Sequence, residues 1–164
     1  MPPLLKQFSS RDHTPFVQFI KYGICGCIAT GVHIGLFYVC AYNLMPALSA
    51  QDPVARALHL TVVPVSDAVR ARNSMIDNGA AFVFSNLTAY LLNILWVFKP
   101  GRHHWIVEIA LFYLVSGVSV VIGSSVMGWL IHQFGTLTTL AFSANVIVSF
   151  MINYALRRFV IFKG

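Results

Sequence analysis

The chain has 164 residues, of which 57% are hydrophobic and only 10% are charged. Soluble globular domains carry about 25% charged residues, so this composition excludes an ordinary water-facing surface. The net charge of +6 does not indicate a nucleic-acid-binding protein. The basic residues lie at the ends of long apolar runs, where lipid headgroups would meet them.

Four apolar stretches are long enough to cross a bilayer, which takes about 20 residues of helix. They run from Phe16 to Tyr42, from Ile76 to Phe98, from Trp105 to Phe134 and from Leu137 to Phe162. The first is too long for a cleavable signal peptide and lacks a small-residue cleavage site. The third and fourth are separated by a very short turn at Gly135, which predicts an antiparallel hairpin.

The predicted fold is therefore an all-α integral membrane protein with four transmembrane helices in one domain, residues 1–164. The segment between the first two spans, residues 43–75, differs from the rest because it holds three prolines and charges of both signs. Two amphipathic stretches in it, 54–60 and 66–72, are interpreted as short helical turns on the membrane surface.

The distribution of basic residues predicts the orientation. Eight of the eleven fall on one side of the membrane: Lys6, Arg11, Lys21, Lys99, Arg102, Arg157, Arg158 and Lys163. Cytoplasmic loops carry an excess of lysine and arginine, so both termini are predicted to be cytoplasmic and residues 43–75 to face outward.

The ends of the second and fourth spans are similar to each other. Residues 85–99 align with 149–163 at an offset of 64 without a gap. The identical pairs are Ser85/Ser149, Tyr90/Tyr154, Leu92/Leu156, Phe98/Phe162 and Lys99/Lys163. This pattern predicts two copies of a two-span unit that point the same way, which is a parallel repeat.

Polar residues inside the spans form a candidate site. In the fourth span Asn145, Ser149, Asn153 and Arg157 recur every four residues, which places them on one helix face. The fourth span also contributes Tyr154, and the other spans add Gln18, Tyr22, Thr30, His33, Ser85, Asn86, Tyr90, Asn93, Glu108, Ser116 and Ser119. One interpretation is a polar track for a hydrophilic headgroup. The other is interhelical hydrogen bonding, worth about 0.6–2 kcal/mol per contact.

His33 also has two interpretations: a neutral ring hydrogen-bonded to a neighbouring helix, or a contact for a headgroup or a proton. Glu108 is a candidate partner of Lys21 or Arg157. Trp96 and Trp105 are typical of the aromatic belt at a membrane interface, and stacking on a sugar is the alternative.

Cations gather at the predicted cytoplasmic end: Lys21, Lys99, Arg102, Arg157 and Arg158. A lipid phosphate at the interface would bind such groups, and arginine offers planar, often bidentate donors to phosphate oxygens. The alternative is simple anchoring, in which long side chains reach the headgroup region. Glycine spacings in the first span (Gly31 and Gly35) and the third (Gly123 and Gly128) permit close helix contact.

Two segments resemble a known family signature. Tyr90-Leu91-Leu92-Asn93-Ile94-Leu95-Trp96-Val97-Phe98 and Asn153-Tyr154-Ala155-Leu156-Arg157-Arg158-Phe159-Val160-Ile161-Phe162 resemble the span endings of the GtrA-like family. The start, Phe19-Ile20-Lys21-Tyr22-Gly23, resembles it too. The chain departs from the family pattern at His33, where an acidic residue is frequent, at Ala89 and Ile94, and in its long outer segment.

The resemblance implies a four-span protein of the bacterial inner membrane. Family members are implicated in moving polyprenyl-phosphate-linked sugars across the membrane for envelope glycans, and some are thought to be partners of a glycosyltransferase. We therefore expect either a flippase for a lipid-linked monosaccharide or a non-transporting adaptor for such an enzyme. A multidrug-type exporter is disfavoured, because the first span lacks a membrane carboxylate.

No sequence pattern indicates an enzyme. There is no GxxxxGK[ST] motif for nucleotide binding, no nucleophile–histidine–acid set and no metal-ligand cluster. We therefore expect no catalytic residues, no cofactor and no nucleic-acid partner. Because four helices make a slender path for a headgroup, we expect a homodimer or a larger homo-oligomer.

Overall fold

The computed structural model describes Phe8, residues 14–97 and residues 104–156. This part of the chain is helical and contains no strand. The helices are α1 (Pro15–Asn43), α2 (Pro53–Ala57), α3 (Asp67–Leu92), α4 (Trp105–Phe134) and α5 (Thr138–Leu156), and α3 continues into a π-helical turn, Asn93–Val97.

Three of the helices are long and apolar enough to cross a membrane: α1, α3 together with its π-helical turn, and α4. Helix α4 has the same bounds as the predicted third span, and α1 agrees with the predicted first span to within one residue at each end. In α5 the apolar stretch found is shorter, Thr138–Ser149, and residues 157–162 of the predicted fourth span lie outside the described residues. A fourth crossing and the parallel repeat therefore stay predictions.

The second span begins earlier than predicted. Helix α3 starts at Asp67, nine residues before Ile76, so residues 66–72 are not a separate surface helix. Ser66 caps the helix, its hydroxyl accepting a hydrogen bond from the Val69 N–H at 3.4 Å. A prediction from hydrophobic length misses the first turns of α3, because their polar side chains are buried against protein and not against lipid. The predicted turn at 54–60 is present as the shorter helix α2.

The helices pack in chain order, α1 on α3, α3 on α4 and α4 on α5. We call the end of the bundle with the turn between α4 and α5 the hairpin end, and the opposite end the terminal end. The main apolar core lies towards the hairpin end and includes Phe37, Ala81, Met127, Ile131 and Phe142. There Phe37 of α1 stacks on Phe142 of α5, with ring centroids 4.0 Å apart, so these two helices also meet at this end.

Gly135 forms the turn of the hairpin. Its φ of 59° is in the left-handed region, which glycine adopts without the strain a Cβ would cause, and its N–H bonds to the Ile131 carbonyl at 3.0 Å. Helix α5 starts three residues later. The predicted antiparallel hairpin is therefore present.

Residues 44–66, which we call the connecting segment, are fastened to this hairpin by buried polar groups. The Asp52 carboxylate is fully buried and accepts from the backbone N–H of Val54 (3.1 Å) and of Thr139 (2.9 Å), and from the Thr139 hydroxyl. From α3, Arg70 donates to the Thr136 carbonyl at 2.6 Å and pairs with Asp67 at 2.7 Å. The segment is thus a cap on the hairpin end.

From these contacts we predict that Asp52 contributes more than Asp67 to the free energy of unfolding. We expect Asp52→Ala to lower the free energy of unfolding by about 1–3 kcal/mol, because it leaves the N–H and hydroxyl donors of the half-buried Thr139 without their acceptor. The matched variant Asp67→Ala removes a carboxylate whose side chain is 53% exposed, and we expect a loss below about 1 kcal/mol. Unfolding in mild detergent measures both, and equal losses would contradict the assignment.

Candidate functional site

A cavity of about 290 Å³ lies between α1, α3, α4 and α5, in the middle of the bundle. Its polar lining comes from all four helices: Thr30, His33, Asn78, Ser85, Asn86, Ser116, Asn145 and Ser149. The remaining lining residues are apolar, and none of the described lining residues is an Asp, Glu, Lys or Arg. The site can therefore exchange hydrogen bonds with a polar group, but it offers no fixed countercharge.

Asn78 is the centre of the hydrogen-bond network. Its amide oxygen accepts from His33 Nε2 at 2.9 Å and from Asn145 Nδ2 at 3.1 Å, and its amide nitrogen donates to the Ser124 hydroxyl at 2.7 Å. One side chain on α3 therefore contacts α1, α4 and α5. The bond to Asn78 requires a hydrogen on His33 Nε2, and in the neutral ring Nδ1 then accepts from Ser85 Oγ, 2.9 Å away.

The α5 side of the cavity depends on a close approach between α4 and α5. The Ser149 hydroxyl donates to the Ser119 carbonyl at 3.2 Å and lies 3.4 Å from Asn145 Oδ1. Gly123 permits this, because a Cβ at that position would lie 2.1 Å from Asn145 Oδ1. The predicted close contact at Gly123 is thus present, whereas Gly31 and Gly35 have no packing neighbour within 4 Å among the described residues.

The cavity opens sideways, between α1 and α5. Its lining residues Thr30 and Ile34 on α1 and Val146 on α5 are exposed, so they form a rim facing the surroundings of the bundle. At the hairpin end the same two helices are closed by Phe37 on Phe142 and by the Tyr38 hydroxyl, which donates to Thr139 Oγ1 at 3.0 Å. A polar headgroup could thus enter the cavity from the side of the bundle, while an apolar chain attached to it stays outside.

The structure brings part of the predicted polar track together. His33, Asn86, Asn145 and Ser149 line the cavity. Tyr90 instead packs edge-on to Phe112, Asn93 donates to the Ala89 carbonyl of its own helix at 2.8 Å, and Gln18 is half-buried near the terminal end. The side chains of Glu108, Asn153 and Tyr154 lie outside the described part of the chain.

Of the five predicted phosphate-binding cations, only Lys21 lies within the described residues. Lys99, Arg102, Arg157 and Arg158 lie outside them. The Lys21 side chain is fully buried, its Nζ donates to the Trp96 carbonyl at 3.4 Å, and it lies 5.3 Å from the Trp96 ring centroid. The ring thus contributes a cation–π contact. Through these contacts Lys21 joins α1 to the π-helical turn at the end of α3.

The two candidate belt tryptophans differ. Trp96 is half-buried, and its indole N–H donates to the Phe8 carbonyl at 2.7 Å. Trp105, at the first turn of α4, is 61% exposed, as a belt residue would be. Neither lines the cavity, so stacking of either ring on a sugar inside it has no geometric support.

Sequence reasoning missed Asn78 and Ser124. A signal for Asn78 was available, because Asn78 and Ser85 are seven residues apart and therefore share a helix face with spacing like that of Asn86 and Asn93. However, Asn78 lies beside Asp77 and only two residues after the predicted start of the span at Ile76. Only the extension of α3 back to Asp67 places Asn78 in the interior.

The close approach at Gly123 gives a test of the site's architecture. We expect Gly123→Ala to displace Asn145 and break its bond to Asn78, which lowers the free energy of unfolding by about 1–3 kcal/mol. Gly117→Ala on the same helix is the control, since no described atom lies within 4 Å of the added Cβ. There the better helix propensity of alanine predicts a change within about 1 kcal/mol, on the stabilising side. Equal thermal melts would overturn the assignment.

Comparison with known proteins identifies a family. A family model described as "GtrA/DPMS, transmembrane domain" matches residues 21–162, which cover the first apolar stretch from Lys21 onward and the other three in full. No curated protein and no solved structure matches the chain. Members of this family are membrane proteins generally not classed as enzymes, and the family indicates a role connected with lipid-linked sugars. The chain is thus a multi-pass membrane protein that belongs to the GtrA/DPMS transmembrane-domain family.

Proposed function

We propose that this protein moves a polyprenyl-phosphate-linked monosaccharide across the bacterial inner membrane, for modification of envelope glycans. The observation that carries the proposal is the polar, uncharged cavity that opens between α1 and α5. A lipid carrier needs such an opening, because its headgroup must be shielded from hydrocarbon while its isoprenoid tail stays in it.

The cavity suits a sugar in both chemistry and size. Amides, hydroxyls and an imidazole offer donors and acceptors to hydroxyl groups, whereas a charged headgroup would find no described countercharge there. Small-molecule sites typically have volumes of roughly 300–1,000 Å³, so a cavity of about 290 Å³ favours one sugar unit over an oligosaccharide.

The phosphate would bind at the terminal end. Trp96, which holds Lys21, lies seven residues beyond the cavity residue Ala89, roughly 10 Å along a helix. Lys21 is the described member of the proposed phosphate-binding group, and Lys99, Arg102, Arg157 and Arg158 complete it in the proposal. With both termini in the cytoplasm, this group would receive the carrier on the side where it is made.

A second candidate function is a non-transporting adaptor for a polyprenyl-phosphate glycosyltransferase. It is favoured by one face of α1, on which Gly23, Cys27, Gly31 and Gly35 recur every four residues and are exposed. Small residues at this spacing let another transmembrane helix approach closely. If the protein is an adaptor, it should co-purify stably with the enzyme, and its function should survive neutralisation of Lys21 and Arg157.

Reconstitution distinguishes the two functions. In proteoliposomes with a polyprenyl-phosphate-linked hexose, we expect the native protein to move the lipid between leaflets, and His33→Ala to slow the rate about tenfold through loss of contacts to Asn78 and Ser85. Lys21→Gln is expected to slow it as well. Ser125→Ala is the matched control, because that residue is exposed and, among the described residues, its hydroxyl bonds only to the Val121 carbonyl of its own helix.

The thermal melt of each variant shows whether a slow rate reflects loss of structure. If the native protein moves none of several such lipids that differ in their sugar, the flippase proposal is wrong. If it then co-purifies with a glycosyltransferase and the Lys21→Gln variant keeps its cellular function, the adaptor is the better account.

A further inference from the structure

Asp77 is a buried carboxyl that the proposed sugar site does not use. It lies on α3 one residue before Asn78, it is 1% exposed, and its Oδ2 has no hydrogen-bond partner among the described residues. One turn earlier Ser74 is fully buried, and its hydroxyl also lacks a partner there. Residues three apart are neighbours on a helix surface, so these two groups share one location.

The ionisable groups around this location leave Asp77 without a countercharge. On α1, Cys40 is close enough to interact with it electrostatically. The α4 residues buried at this level, Met127 and Ile131, are apolar, as is Phe142 of α5. The only ion pair among the described residues joins Arg70 to Asp67.

The other ionisable groups at the hairpin end are already engaged or face outward. In the connecting segment Asp52 is bound to Thr139, and Arg56 and His59 are exposed. Two further groups are likewise exposed: Arg72 of α3, which donates to Asn73 Oδ1 at 3.4 Å, and His132 at the end of α4. Towards the cavity His33 is bound to Asn78 and Ser85. No described cation therefore reaches the Asp77 carboxyl.

An ionised carboxylate is expensive to bury without a donor or a cation. A protonated carboxyl is not, because its O–H can donate to a nearby acceptor, and the unpartnered Ser74 hydroxyl is one. The closed arrangement of the hairpin end therefore favours the protonated form of Asp77. The ionised form needs water, and the connecting segment covers α3 one turn away, at Asn73.

The connecting segment lies against α3 between the start of that helix and Asp77. It is held beside α3 by Asn73, one turn before Asp77, whose amide donates to the Pro46 carbonyl at 2.9 Å. It is held to the hairpin by Asp52 on Thr139 and by Thr138, whose hydroxyl donates to the Ala47 carbonyl. These few polar contacts can break together.

We propose that Asp77 is a proton-binding site coupled to the connecting segment: protonated when the segment is closed, and releasing its proton to water at the hairpin end when the segment lifts. By linkage, proton binding stabilises the closed state by the same factor by which closing strengthens proton binding. The proposal goes beyond sugar-lipid transport, and it holds whether or not the protein moves a lipid.

Labelling of a reporter cysteine under the segment tests the coupling. Ala47 is fully buried there, so Ala47→Cys in a background with Cys25, Cys27 and Cys40 replaced by alanine reacts with a charged maleimide only when the segment lifts. The protein is held in lipid nanodiscs, where both faces are accessible. Each rate is divided by that of the same variant unfolded in SDS, which removes the intrinsic pH dependence of a thiol.

We expect the normalised rate to rise at least about threefold between about pH 5.5 and about pH 8, a range in which ordinary carboxyls stay ionised. Asp77→Asn, which mimics the protonated form, should stay slow and flat, and Asp77→Glu should restore the rise. Asp67→Asn, an exposed carboxyl of the same helix, should keep the pH dependence. Asp52→Ala should label faster at every pH, which confirms that the assay reports the segment.

The proposal would be overturned if the normalised labelling rate of the protein that retains Asp77 did not change with pH, or if that of Asp77→Asn did. If Asp77→Asn does not give monodisperse protein, Ser74→Ala replaces it. Loss of the acceptor disfavours the protonated form, so the rise should shift to lower pH, and an unshifted profile would contradict the proposal. Because no lipid substrate enters the assay, its outcome is independent of the proposed transport.

Discussion

The interior of this bundle depends on the Asn78 amide. A polar side chain inside a membrane protein is costly unless its donors and acceptors find partners. The Asn78 amide pairs its own donor and acceptor with polar groups of three other helices: His33 of α1, Ser124 of α4 and Asn145 of α5. The network fixes how far α1, α4 and α5 stand from α3, and the space left between them is the cavity. The apolar core around Phe37 and Phe142 closes that space at the hairpin end.

Helix positions could be predicted from hydrophobic length where helices meet lipid or apolar neighbours. The bounds of α4 agree with the third predicted span, and the short link before α5 predicted the hairpin. Hydrophobic length does not predict the start of α3, because the polar residues there are buried against other parts of the chain: Arg70, Asn73, Ser74 and Asp77. Hydropathy measures affinity for lipid, and it cannot distinguish a polar helix end covered by protein from a polar loop in water.

The candidate site could be predicted in part, for a related reason. The spacing of Asn145 and Ser149 identified one cavity wall, and His33 was found as an isolated polar residue in an apolar span. Tyr90 and Asn93 were assigned to the same track, although the first packs on Phe112 and the second bonds to its own helix. Helical spacing gives the face on which a residue lies, but the partner opposite that face depends on packing between helices.

The π-helical turn at Asn93–Val97 has a consequence for comparing the two halves of the chain. A turn closed by i→i+5 bonds takes up about one more residue than an α-helical turn, so the azimuth of later positions changes by roughly 100°. A helical wheel drawn from Tyr90 with a constant 3.6-residue period therefore misplaces Trp96 by part of that angle. The gapless alignment of residues 85–99 with 149–163 matches the two halves by letter, and equivalent letters after position 93 share the same angular phase only if the second half carries a similar insertion.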